Sequence, residues 1–427
     1  MRKTVVLYLL IRCVLVVGQT GFQPLDTTFS KDFRTNLVKE FKSKYQIINS
    51  NIDFTSSKQR KIVKEIYIES QKSFIDNIDK NIFISDLKIN KYLQDLLSEV
   101  LSKNKIDNKD YKILLSNDEI VNAYNVGDGT IVLNYGLLAT VENEDELVFV
   151  ICHETGHQYL NHVKKEIENY AIQSTSDEII SKTNEIKRQK YRKATLASNL
   201  LNTIRYKNYK QRRLKEIQAD SIGLSFYKKT FRNQKNVLEI LKKLEKSNKE
   251  SDSLSIADYK LFFEKDDFKL KSKYFETEES IFQNYDHRQS ASVDSLQTHP
   301  DCATRIKLLI KNMDNETKIE GLKTSFFEFK KNSTYQNLIN LDNNKDYGIC
   351  LYESLKVFKK DSSNNLIKNL IIKNLSQIIL SKSNYTISRY VPDIDIKNNS
   401  KSLNTFITFI NNIKISDLDI LINKFKS

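Results

Sequence analysis

The run ICHETGHQYL holds the most informative chemistry in the chain. His153 and His157 stand four residues apart, the spacing that puts two side chains on one face of a helix. Two imidazoles so placed can bind one metal ion. Glu154 follows the first of them and points beside the metal rather than onto it. A base must sit there to take a proton from a metal-activated water. A catalytic zinc site needs a third protein ligand and keeps its fourth position open. One scheme adds a Gly and a third His soon after the helix motif, but Leu160 and Val163 occupy those places. The other takes a Glu from a later helix, and Glu216 in KEIQAD fits. Asp220 lies four residues further, on the same helical face, where it can hold a ligand His by its other ring nitrogen. Alone, these two acids would read as a solvated acidic face in a Lys-rich region. Beside the His pair they read as ligand and support. A structural zinc site fits less well, since such sites are closed by four ligands and are often Cys-rich.

Other elements must position these groups. YKILLS, VNAYNV and TIVLNYG are short runs rich in Val, Ile, Tyr and Leu. Asn, Asp and the turn Gly127-Asp128-Gly129 separate them, which predicts a small sheet ahead of the metal-binding helix. Asn122, Ala123 and Tyr124 lie in a segment that can offer a sheet edge to an extended peptide. NEDELVFV opens the helix with acids, favourable at a helix N-terminus, and continues apolar as a buried helix would. Residues 30–110 read as helices from their three- and four-residue apolar spacing. Residues 163–215 read as charged, partly exposed helix, followed by an amphipathic stretch with Ile217, Leu224 and Phe226 as core candidates. The polar stretch 250–290 reads as a loop or lid. Beyond residue 330, two helices joined at Asp361-Ser362-Ser363 form one helical-hairpin unit.

With 427 residues, 39% hydrophobic, 9 Gly and 3 Pro, the chain can bury a core and has no linker-like composition. The formal charge of +14 is read as Lys on solvated faces, and no nucleic-acid motif accompanies it. The N-terminus has Arg2 and Lys3, an apolar run from Val5 broken by Arg12, and Val16 and Gly18 ahead of Gln19. That pattern resembles a cleavable secretory signal over residues 1–18, with an uncleaved anchor as its rival. Cys13 lacks the small residues of a lipoprotein site. Cys152, Cys302 and Cys350 remain, an odd number that argues against a disulfide framework; a Cys152–Cys302 bridge is disfavoured.

Four blocks in order carry a family resemblance: NAYNVGDGTIVLNYGLLAT, NEDELVFVICHETGHQYLNH, KEIQAD and THPDCATRI. Over about residues 60–315 the chain resembles the HtpX-like and BepA-like zinc metallopeptidases, relatives of the CAAX prenyl proteases and members of peptidase family forty-eight of the metallo class. The resemblance implies an α+β, mostly α, zincin-type domain over 19–325 with a small sheet beside the zinc helix. A C-terminal helical, TPR-like region over 326–427 follows. It implies one Zn2+ per chain on His153, His157 and Glu216, with Glu154 as general base in hydrolysis of peptide bonds. His299 is then the oxyanion donor, or else a reversible extra zinc ligand that holds the enzyme inactive, with a packing or capping role before Pro300 as the rival reading. Arg305 anchors the His299 loop through a carboxylate, and His162 lies off the ligand face in a supporting or packing role. His287 has no motif and reads as a surface residue. Many relatives carry transmembrane helices between the zinc helix and the third-ligand helix; here that interval is charged. The exported branch is therefore the closer match, in the periplasm or outside the cell, with no membrane span once the signal is removed. Its partners would be protein or peptide substrates, and envelope proteins met through the C-terminal helices. Nucleic acid is not expected. The competing reading is a latent or non-catalytic helical adaptor or chaperone that binds client proteins.

Overall fold

The structure is a computed structural model that describes residues 22–27, 30–54, 56–189, 193–247, 250, 252–265, 267–276, 302–314 and 324–426. Within 193–210 and 324–325 only the backbone and Leu196 are described. In chain order the elements are helices α1 (Ser30–Ser50), α2 (Ser57–Asp79) and α3 (Leu87–Lys103), then strands β1 (Lys112–Ser116), β2 (Ala123–Asn125) and β3 (Thr130–Asn134). Helices α4 (Tyr135–Thr140), α5 (Glu144–Tyr159), α6 (His162–Ser174), α7 (Asp177–Arg188), α8 (Lys193–Lys228) and α9 (Lys235–Lys246) follow. The rest are α10 (Ile256–Phe263), a 3-10 turn (Ser272–Phe275), α11 (Cys302–Ile310), α12 (Thr324–Lys331), α13 (Ser333–Asn343), α14 (Tyr347–Lys360), α15 (Asn365–Ser383), a 3-10 turn (Ile387–Arg389), α16 (Lys401–Asn412) and α17 (Ile415–Lys426). The fold is α+β and mostly α, as the sequence predicts. No described helix is long and apolar enough to cross a membrane. Residues 1–18, the expected signal, lie outside the described residues.

The chain packs as two units. One is made of the described residues of Leu25–Glu245 and His299–Lys331. The sheet lies here in the order β1-β3-β2, with β3 parallel to β1 and antiparallel to β2. β3 is buried along its whole length. The β2–β3 turn closes through Gly127 and Gly129 at φ +96° and +90°, a region that L side chains rarely enter. Asn125 and Asp128 side chains accept from Gly127 N and Thr130 N at 2.8 Å, which sets the turn. Helix α3 starts on Asp86, whose carboxylate caps Lys88 N and Ile89 N at 3.0 Å. It buries Ile89, Leu93, Leu96, Leu97 and Val100 against the sheet and α5.

The second unit includes α10, the first 3-10 turn and α13–α17. Its core stacks aromatic rings: Phe409 lies 5.3 Å from Tyr259 and 5.1 Å from Phe275, centroid to centroid. This corrects the reading of 250–290 as loop or lid over its described part. Residues 256–263 are helical, and Tyr259, Phe263 and Tyr274 are buried. A few large rings among many charges carry the burial there, and average polarity hides them. The sequence suggests a boundary near 325; in the packing, Phe326 is buried in the first unit's core, and the division falls after Lys331. The expected hairpin is α14–α15, with Asn364 capping α15 through Leu366 N and Ile367 N.

Candidate metal centre

Helix α5 is buried almost all round, from Leu147 to Gly156. Its start is held by polar contacts. Asn143 caps Glu146 N at 2.9 Å. Glu144 accepts from Arg232 at 2.9 Å and from Tyr92 at 2.7 Å, and Glu146 pairs with Lys243 at 2.6 Å. Arg232 also binds Glu99 through two contacts of 3.0 and 2.9 Å. Glu144 and Glu146 are thus buried but satisfied.

Helix α8 lies against α5 at close range, and glycine permits it. A Cβ on Gly223 would stand 3.1 Å from the Cα and N of His153, and one on Gly156 would stand 3.0 Å from Ala219 O. With both backbones bare at the crossing, the short side chain of Glu216 reaches between the two histidines. His153 Nε2 and His157 Nε2 are 3.1 Å apart, and each lies 3.4 Å from a carboxylate oxygen of Glu216. Bond lengths of about 2.0–2.1 Å in a tetrahedral zinc site put neighbouring ligand atoms about 3.3 Å apart. The observed triangle therefore fits one face of a zinc tetrahedron. It is the one such donor group among the described residues.

Support for the donors comes from both sides. His153 Nδ1 lies 2.9 Å from Asp220 Oδ1. Arg305 grips Asp220 through Nε and Nη2 at 2.6 and 2.7 Å, with Nη1 3.6 Å from Glu216. Burial alone lowers the pKa of His153, but hydrogen bonds to Asp220 and Glu216 overcome it and push the value up to about 10. A metal ion and a proton therefore compete for this ring. Burial opposes ionisation of Asp220, but Arg305 and then His153 hold its carboxyl down at about 2.

His162 is better placed than helix periodicity suggests. On an unbroken helix, five residues would turn it about 140° away from His157. Asn161 instead adopts left-handed geometry, φ +53°, and ends α5. The chain turns back, and His162 Nδ1 comes 3.1 Å from His157 Nδ1. Its Nε2 lies 3.2 Å from Gln218 Oε1. The amide oxygen only accepts, so His162 Nε2 donates to it, and His162 Nδ1 accepts from His157 Nδ1–H. Burial lowers the His162 pKa, which keeps the ring in the neutral form this chain requires. His157 Nε2 is left with its lone pair toward the triangle. Gln218 was not legible in the sequence; its position two residues after Glu216 becomes a signal only once the break at Asn161 is known.

Glu154, 3% exposed, borders a small pocket together with His153 and Arg305. Asn122 and Ala123 of the sheet edge line the same pocket. Asn122 O and Val126 N bond to β3, so by alternation the main-chain groups of Ala123 and Asn125 face the open side of β2. Tyr124 pairs with Val132. His299 and His287 lie outside the described residues. Cys152, Cys302 and Cys350 are buried, and no Cys152–Cys302 disulfide forms.

No curated protein matches the chain. The family model for peptidase family M48 matches residues 88–312, from the start of α3 to just past α11. The matched span takes in the sheet, both helices of the donor triangle and Arg305. Because it covers more than half of the chain, the protein belongs to peptidase family M48, whose peptidases are zinc-dependent.

Proposed function

We propose that the chain is a zinc endopeptidase that cleaves protein substrates bound as extended strands. The observation that carries this is the His153–His157–Glu216 triangle with the buried Glu154 beside it, on a pocket reached from the β2 edge. His153, His157 and Glu216 would hold one zinc ion. When bound, zinc supplies Lewis-acid chemistry: it acidifies water toward neutral pH and draws electron density from a peptide carbonyl. Glu154 takes the proton of the attacking water and passes it to the departing amine. Asp220 and the His162–Gln218 pair hold the two imidazoles in the tautomers that leave both Nε2 atoms facing the triangle. Ala123 and Asn125 offer main-chain groups that pair with a substrate strand, with little regard for side-chain identity. Such recognition suits quality control of unfolded or misassembled envelope proteins, in keeping with the signal-like N-terminus and the HtpX-like and BepA-like motifs.

The test is metal analysis joined to cleavage of an unfolded protein such as casein. Wild type and Glu154→Gln should both hold one zinc per chain, and the variant should cleave about 10²–10⁴-fold more slowly. Equal inertness of both zinc-loaded proteins would sink the peptidase reading in favour of an adaptor or chaperone.

A further inference from the structure

The pocket beside Glu154 has chemistry of its own. Leu137 from α4, Phe149 and Val150 from α5, and Leu241 and Leu244 from α9 form its apolar wall. Its other wall is the open-edge strand at Ala123, and His153 and Glu154 stand at its rim. A substrate strand laid along Ala123 toward the donor triangle would pass beside this pocket. The cavity volume is ≈ 20 Å³, about one water molecule or one methyl-sized group. Leu137, Phe149, Val150 and Leu241 are at most 6% exposed and belong to the main core of this unit, so these walls cannot retreat without breaking close packing. Leu244 is only partly buried and is the wall that can be altered at least cost to the fold. Among the described residues the cations at the rim are already engaged: Arg305 is bound to Asp220, and His153 belongs to the metal centre. A charged side chain entering the pocket would lose its water against a largely apolar wall.

We propose that this pocket selects the substrate, accepting a small apolar side chain, such as alanine, at one of the two residues flanking the scissile bond. The proposal rests on the peptidase reading. Charged and bulky aromatic residues are excluded from that position by the pocket's size and lining. Leu244 and Ala123 set the limit from opposite walls.

The full-length, zinc-loaded protein is given a library of unfolded peptides, and the cleavage sites are mapped by mass spectrometry. Wild type should cut where one flanking position is Ala, at least about tenfold more often than where it is Phe, Trp, Lys or Glu. Leu244→Ala enlarges the pocket and should admit Leu, Met and Phe there. Ala123→Val narrows it from the other side and should move the preference toward Gly. Large or charged residues at both flanking positions in wild type would overturn the proposal, as would an unchanged profile in both variants. Binding to zinc-loaded Glu154→Gln separates the two readings. A roughly tenfold tighter hold on Ala peptides than on their Phe counterparts, without cleavage in wild type, would support the pocket and sink the peptidase reading. Equal binding would overturn the pocket.

Discussion

Asp220 touches two groups whose needs differ. It accepts from the ring of His153 and it neutralises Arg305, both within the buried interior. Replacing it with Ala frees the imidazole to rotate and strands a buried guanidinium. Asp220→Ala should therefore weaken zinc binding about 10–100-fold and cost about 3–5 kcal/mol of stability. Competition with a chromophoric chelator measures the first effect and denaturant unfolding the second. His162 and Gln218 act on His157 as one chain of hydrogen bonds. His162→Phe should lower zinc affinity by a similar factor, and adding Gln218→Leu to it should cost nothing more, because the chain is already broken. Additive losses would show that Gln218 acts elsewhere. At this scale the His pair and the candidate base Glu154 were legible from spacing alone. Glu216 and Asp220 needed the excluded alternative and the order of motifs, since an acid pair on a Lys-rich helix is common. Gln218 was not legible, because a local backbone break decides which way His162 faces.

The crossing of α5 and α8 is the element on which the site depends. Gly223 meets the backbone of His153, and Gly156 meets that of Ala219. Gly223→Val puts branched carbons where 3.1 Å is available, so α8 must shift outward and carry Glu216 with it. Stability should fall by about 1–3 kcal/mol. Zinc affinity should fall as well, whereas a purely structural defect would leave the affinity of the folded fraction unchanged. Calorimetric titration of the folded fraction decides between them. In the second unit, Lys382 on α15 donates to Asn411 O and Ile413 O at 2.9 and 2.7 Å. Burial pulls its pKa down to about 8. Between about pH 8 and 10.5 the unfolded chain then binds more protons at this residue than the folded one. Its contribution makes the fold more stable as pH rises through that window. Lys382→Met should reduce the rise, as read from denaturation midpoints at pH 8 and 10. The three strands, their glycine turn and most helices followed from periodicity. Helix α10 did not, because three aromatic residues carry its burial inside a polar segment.

For the whole molecule, a zinc ion held by His153, His157 and Glu216 would couple folding to the site, since these donors come from two helices far apart in sequence. Chelation should lower the melting temperature by roughly 5–10 °C at a zinc concentration near 100 times the dissociation constant. Added zinc should restore it, and Glu154→Gln should show the same shift, because Glu154 is not a ligand. A melting curve indifferent to chelator would remove the metal from the account of this fold. The site's charges form a local network, in which Arg305 meets both Asp220 and Glu216, and His153 meets both acids as well. The sequence by itself determined the helix that carries the His pair, a candidate base on it, the sheet ahead of it and a third-ligand candidate, because helix and strand periods place residues that are near in the chain. The tertiary structure alone decided that Glu216 closes the triangle, that Arg305 secures Asp220, and that the pocket beside Glu154 is walled by α4 and α9. Those relations join residues tens of positions apart. Their distances are set by how closely two glycine-bearing helices pack, which no local pattern records.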